Sequence, residues 1–153
     1  MTNTDQIKIL QENKLALTES FRWLQRSYAI CHEQFDINEL SDEGYDAFES
    51  LTSRFARTTD ILTNKVFRSI IYLEEGASFS WLDTLLYLEK NGVVSSLDDA
   101  RLIKELRNEI VHEYTVSDLK QLFIEVLNNC SKLFEFVETA QRYSDKLLNK
   151  LKS

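Results

Sequence analysis

Residues 117–151 read SDLKQLFIEVLNNCSKLFEFVETAQRYSDKLLNKL. Within them Leu119, Leu122, Phe123, Val126, Cys130, Leu133 and Val137 return every three or four positions, and the series continues towards Leu147. A backbone turning by 3.6 residues sets these side chains on one face, whereas a strand would scatter them over both. Ser117-Asp118 supplies a hydroxyl cap and an acid in the first turn, where the helix dipole favours negative charge. With no Pro or Gly to interrupt it, the stretch predicts a helix about 50 Å long at 1.5 Å per residue. Other helices must cover so long an apolar face, and an all-α fold follows.

Four more helical segments are expected upstream. The first spans about Thr4 to Gln34, with Leu17, Phe21, Leu24, Tyr28 and Cys31 as its stripe. Phe35 to Leu40 mixes acids with single apolar residues and reads as a loop. Ser41 caps a second helix, with Asp42 and Glu43 in its first turn; it runs to about Leu73, draws on Tyr45, Phe48, Phe55, Leu62 and Val66 for the core, and is closed by Gly76. Ser80 and Asp83 open a short third helix that Asn91-Gly92 ends. Ser96 and Asp99 repeat the opening for a fourth, whose apolar face is Leu102, Leu106 and Ile110. The expectation is a single domain, 1–153, built as an antiparallel bundle of about five helices. Since two of the five are short, the long ones are expected to project beyond a one-chain core, and a homodimer would cover them.

Composition agrees. The 153 residues include no Pro and three Gly, too few turn formers for a many-stranded sandwich or barrel. At 43% hydrophobic residues the chain is neither disordered nor a disulfide framework. Cys31 and Cys130 sit among helix-periodic apolar residues and are expected as two core thiols, a disulfide being the lesser alternative. No Cys/His cluster suggests a metal, and no cofactor motif is present. Met1-Thr2-Asn3-Thr4-Asp5 carries no basic stretch ahead of an apolar run, and no run is long enough to span a bilayer, so no signal peptide, no membrane partner and a cytoplasmic location are expected. The net charge of −7 is unevenly placed: Glu33, Asp36, Glu39, Asp42, Glu43, Asp46 and Glu49 lie between Ser27 and Ser53 without one Lys or Arg. The other residues balance at 18 acids and 18 bases, so a polyanionic substrate is not excluded. The acidic segment reads as a separate face.

One octapeptide carries chemistry: Arg107-Asn108-Glu109-Ile110-Val111-His112-Glu113-Tyr114. An imidazole can take a proton from a ribose 2′-hydroxyl or give one to a leaving 5′-oxygen. A guanidinium can grip the non-bridging phosphate oxygens at two points. On a regular helix Asn108 and His112 share a face, so the amide can orient the ring, but Arg107 and His112 stand about 140° apart. Either the helix loosens near His112, or a second copy of the motif completes the site across a dimer axis. Plainer roles exist as well: a His favoured by the dipole at a helix end, an Arg paired with an acid one turn away, a Tyr at an interface.

Arg107-Asn108-x-x-x-His112-x-Tyr114 resembles the RxxxxHxY signature of the HEPN superfamily, in particular its HepT-like branch, with Asn108 filling the polar position after the Arg. The resemblance is carried by about residues 96–116. It implies a helical bundle of four to five helices that dimerises through the motif helices, and a metal-independent ribonuclease acting as the toxin of a toxin–antitoxin pair. In that setting Arg107 and His112 are catalytic, Asn108 supports them, and Tyr114 accepts an adenylyl group from a nucleotidyltransferase antitoxin. The alternative from a different class is a non-catalytic binding subunit for a nucleotidyltransferase or a nucleotide. The acidic segment and the long last helix have no counterpart in the common HepT pattern.

A second feature suits RNA. Arg54, Arg57, Lys65 and Arg68 fall within about 60° of one another on a regular second helix and form a basic stripe. It is either a solvated helix face or a phosphate track; Arg101 and Lys104 add positive charge on the motif helix. His32 is expected at the surface, and Trp23 and Trp81 as core or interface aromatics.

Overall fold

The computed structural model describes residues 3–112 and 116–152, and among them every regular element is helical. These are α1 (Asn3–Gln34), α2 (Asp42–Asp60), a π-helical segment (Ile61–Val66), α3 (Phe67–Glu75), α4 (Trp81–Lys90), α5 (Leu97–Ile110) and α6 (Val116–Lys152). Because α2, the π segment and α3 follow one another without a break, the fold has five rods, the all-α bundle expected. The caps act as read. The Ser41, Ser80 and Ser96 hydroxyls accept from the N–H groups of Gly44, Asp83 and Asp99 at 3.1, 3.2 and 3.2 Å. Gly76 and Gly92 take φ of +68° and +77°, a conformation that a Cβ disfavours. At α6 the helix already includes Val116, so Ser117 lies within its first turn and not at the cap.

The second rod departs from the regular helix assumed for it. Thr59 and Thr63 turn their hydroxyls back onto the carbonyls of Phe55 and Thr59, both at 2.9 Å, competing with the helix's own donors. The Ile61 N–H divides between the carbonyls of Arg57 and Thr58, and the Phe67 N–H reaches back five residues to Leu62. One extra residue in the turn rotates everything downstream by about 100° relative to a regular helix.

The rods pack around one continuous core. α1 runs antiparallel to the second rod, joined by a buried Ser20–Thr58 hydroxyl pair (2.7 Å) and by Asn13 donating to Ser69 (2.9 Å). It is also antiparallel to α6, through Lys14 with Asp145 and Gln141 with Thr18. Phe48 of α2 stacks on Phe123 of α6 at 5.3 Å. α5 lies antiparallel to α6, tied by Lys132–Asp99 at 3.2 Å and Ser95–Glu135 at 2.9 Å. Gly44 makes room for the loop before α2, where Phe35 and Leu40 fold back over it.

The projecting length used to infer a dimer is not there. α1, the rod 42–75 and α6 are each about 50–55 Å long and lie side by side. α1 is buried at intervals from Gln6 to Cys31, and α6 from Leu122 to Leu148. Each long helix finds cover within one chain. Cys31 and Cys130 are buried free thiols; burial pushes Cys130 up to about 12, with Cys31 adding to the rise, so neither is a reactive thiolate at neutral pH. Among the described residues no helix is long and apolar enough to cross a membrane.

Phe123 is fully buried against Phe48 and Tyr45. Phe123→Ala is expected to lower the unfolding free energy by about 3–5 kcal/mol in urea denaturation, through lost burial and the cavity left behind. Leu15→Ser, at a position 72% exposed, should change it by less than about 0.5 kcal/mol.

Candidate active site

Helix α5 buries Ala100, Ile103 and Leu106, which fixes its rotation. Arg101 and Asn108 are then exposed, while Lys104 and Arg107 lie on the flank, half-buried. Arg107 does not pair with an acid one turn away. Its Nε and Nη2 donate to the two carboxylate oxygens of Asp60, 47 positions away on the second rod, at 2.7 and 3.0 Å. Nη1 donates to the Asn108 amide oxygen at 3.3 Å. The two parallel bonds to Asp60 match the fork of the guanidinium and fix its plane; that hydrogen bonding is the main reason the Arg107 pKa rises further. Asp60 is the last residue of α2, where the π segment begins. Together these bonds occupy three of the five guanidinium N–H groups.

His112 stands beyond the helix. α5 ends at Ile110, Val111 takes ψ −6°, and the His112 N–H closes a tighter turn onto the Glu109 carbonyl at 3.1 Å. The regular helix behind the 140° separation therefore stops before His112, whose side chain is exposed. Among the described residues it makes no hydrogen bond to Asn108 or Arg107; the Asn108 oxygen serves Arg107 instead. The pKa of the nearby Glu109 carboxyl is raised by desolvation and then by the charges of Glu125 and Glu105, with His112 opposing. Within one chain Arg107 and His112 thus engage different neighbours. Glu113 and Tyr114 lie outside the described residues.

The basic stripe is divided. Arg54 donates to Ser27 at 2.6 Å and covers the Trp23 ring, its guanidinium carbon 5.0 Å from the centroid. With Arg57 it lines a cleft of about 440 Å3 that also holds Glu19, and an open groove shared with Asp46 and Glu49. The acidic segment is thus not wholly apart from the stripe: two of its carboxylates, Asp46 and Glu49, line the same groove as Arg54 and Arg57. Lys65, within the π segment, and Arg68, just beyond it, line a different groove, against the start of α1. Arg68 also reaches a pocket of about 120 Å3 with Thr63, Asn64, Phe79, Trp81, Thr84 and Lys104. There Lys104 lies 5.4 Å from the Trp81 centroid. Its pKa is lowered by desolvation, Asp60 opposes that shift, and the charges of Arg107 and Arg68 lower it further. Arg68, Lys104 and Arg107 thus form a cationic group with Asp60 as the acid among them. Trp81 packs at the edge of the core under Lys104, whereas Trp23, expected as a core or interface aromatic, is exposed under Arg22 and Arg54; the exposed His32 stacks on Tyr28.

Among the described residues no group of three His, Cys, Asp or Glu side chains is placed to hold a metal ion. Asp60 is the site residue missed by sequence reasoning. The one local signal is its company: two Thr precede it and a third follows at Thr63, and such residues disturb helices by bonding back to the backbone. Comparison of the chain with protein-family models, with curated proteins and with solved structures gave no match.

A lysine whose charged form is disfavoured in the folded state costs stability while it is protonated, and the cost vanishes once it is neutral in both states. Lys104→Met, which keeps the stem against Trp81, is therefore expected to raise the melting temperature at pH 7. The gain should fade above about pH 10.4, the unperturbed lysine value. For Asp60→Asn and Arg107→Gln, a double-mutant cycle should give a coupling of about 1 kcal/mol by denaturant unfolding, modest because both side chains are about one third exposed.

Proposed function

We propose that this chain is a metal-independent endoribonuclease of the HEPN, HepT-like kind, acting as a homodimer. The observation that carries the reading is the placement of Arg107: a guanidinium held in plane by Asp60, beside Lys104 and Arg68, five residues from an exposed imidazole. In the reaction His112 takes the proton of a ribose 2′-hydroxyl, and the 2′-oxygen attacks the adjacent phosphorus. The 5′-oxygen leaves with a proton from an acid, giving a 2′,3′-cyclic phosphate and a 5′-hydroxyl. Arg107 holds the non-bridging oxygens as charge gathers on them. One imidazole can serve one role per step, and a second copy of the chain supplies the other; that is the physical case for a dimer with the motif helices facing each other. Asn108 acts by holding Nη1 of Arg107. Tyr114 is the residue at which a nucleotidyltransferase antitoxin silences the enzyme, because an adenylyl group there puts a bulky anion where the RNA phosphate must lie.

A specific observation favours a second reading. The Asp60 carboxylate already occupies two donors of Arg107, as it would in a purely structural ion pair, and the chain is then a non-catalytic binding subunit for a nucleotidyltransferase or a nucleotide.

Incubating the purified protein with single-stranded RNA in EDTA separates the two. Cleavage leaving 2′,3′-cyclic phosphate ends is expected, reduced by about 100-fold or more in His112→Ala. Mixing inactive Arg107→Ala and His112→Ala proteins should restore part of the activity if each site draws on both chains. Absence of cleavage by a well-folded dimer would overturn the ribonuclease and favour the binding subunit.

A further inference from the structure

The pocket between the π segment, α4 and α5 has properties that the ion pair with Asp60 does not explain. Its walls bring together two cations, Arg68 and Lys104, from different rods. The Lys104 ammonium is desolvated and further disfavoured by the neighbouring charges of Arg107 and Arg68. Thr84, a buried residue, also lines the pocket and brings a hydroxyl to its wall. Asn64 adds an amide at the rim. Two cations, a hydroxyl and an amide converging on one space are the donors that a phosphate group needs. The volume, about 120 Å3, is well below the roughly 300–1,000 Å3 of sites that enclose whole drug-sized ligands. It suits a single anionic group whose remainder stays outside.

We infer that this pocket binds one phosphate group of an RNA strand, next to the phosphate gripped by Arg107. The source of the phosphate rests on the ribonuclease reading, while the pocket itself rests on its own donors. Lys104 and Arg107 are three residues apart on one helix, about 4.5 Å along the axis, close enough for their long side chains to meet neighbouring phosphates of one strand. A strand lying along α5 meets both. The Arg54–Arg57 cleft does not compete, because Glu19, Asp46 and Glu49 line it and the adjoining groove. A bound phosphate also offsets the repulsion among the three cations, so the group that destabilises the empty fold becomes favourable in the complex.

The probe is inorganic phosphate, titrated into the full chain while the indole N–H resonances of Trp81 and Trp23 are followed by NMR. Saturable movement of the Trp81 resonance, with Trp23 unmoved, is expected. Arg68→Ala and Lys104→Met should each weaken this binding by about tenfold, and Thr84→Val by several-fold. An unmoved Trp81 resonance, or equal affinity in Lys104→Met, overturns the pocket. The source is tested in the His112→Ala background with a fluorescein-labelled oligoribonucleotide. Adding Lys104→Met should weaken binding and reduce the slope of log affinity against log salt by about one. Phosphate binding without that change in the salt slope overturns RNA as the source. Both binding results without cleavage by the wild-type protein would remove the ribonuclease reading and keep the pocket as an RNA-phosphate site.

Discussion

Asp60 and Arg107 meet through two parallel N–H···O bonds at the point where the second rod leaves α-helical register. The rest of the site depends on that junction. A π turn gives up regular backbone geometry and persists where side chains compensate for it. Here the compensation comes from the Thr59 and Thr63 hydroxyls inside the rod and from the carboxylate–guanidinium pair outside it. The pair in turn ties α5 to α2 in one rotation, since Arg107 cannot reach Asp60 unless Leu106 and Ile103 face the core. Lys104, one turn earlier, is thereby carried over Trp81 and towards Arg68. Straightening the second rod into a regular helix would turn Arg68 by about 100° and dissolve the cationic group.

The same junction decides how the charge of this acidic chain is distributed. On a regular helix the four basic residues of the second rod form one track, and the acidic stretch before them is a separate face. In the folded chain Asp46 and Glu49 border the groove that Arg54 and Arg57 line, and Ser27 and Trp23 take up Arg54. Acids therefore stand beside that half of the track. The other half meets α5, where Arg68, Lys104 and Arg107 have Asp60 as their acid. An anion is attracted to an excess of positive charge at low local dielectric, and the excess is at the second place. Counting basic residues along a helix face is therefore a poor guide here. What neighbouring rods bring to that face matters more.

Much of the fold was legible because its determinants are local. Ser41, Ser80 and Ser96 each stand three residues before the N–H they accept, and Gly76 and Gly92 mark ends by a conformation that other residues avoid. The stripes of α1 and α6 follow from a fixed angle per residue. The site was legible only in part. Arg107, Asn108 and His112 lie within one octapeptide, whereas Asp60 is brought to them by tertiary packing, and no spacing connects residues 47 positions apart. The π segment escaped for a related reason: apolar periodicity presumes a constant angle, and a single extra residue shifts the phase without interrupting the pattern of Leu62, Val66 and Ile70. The expectation that the long helices project beyond a one-chain core overlooked that the second rod, α2 through α3, matches α1 and α6 in length, so the case for a dimer rests on the site and not on helix length.

The carboxylate on Arg107 bears on the choice between a structural ion pair and a phosphate clamp. An exposed arginine must give up about 2 kcal/mol of rotamer freedom to hold a phosphate in one geometry. Arg107 has given up that freedom already, because Asp60 fixes its plane through Nε and Nη2. Had Asp60 neutralised the region, Lys104 would feel a favourable environment. Instead desolvation, helped by Arg107 and Arg68, outweighs the pull of Asp60, and its pKa is lowered. A purely structural ion pair needs no desolvated cation beside it, as Lys104 is. Folded chains keep such costs where binding or catalysis repays them, so the placement of Lys104 next to Arg68, more than the ion pair itself, weighs towards an anionic ligand on this face.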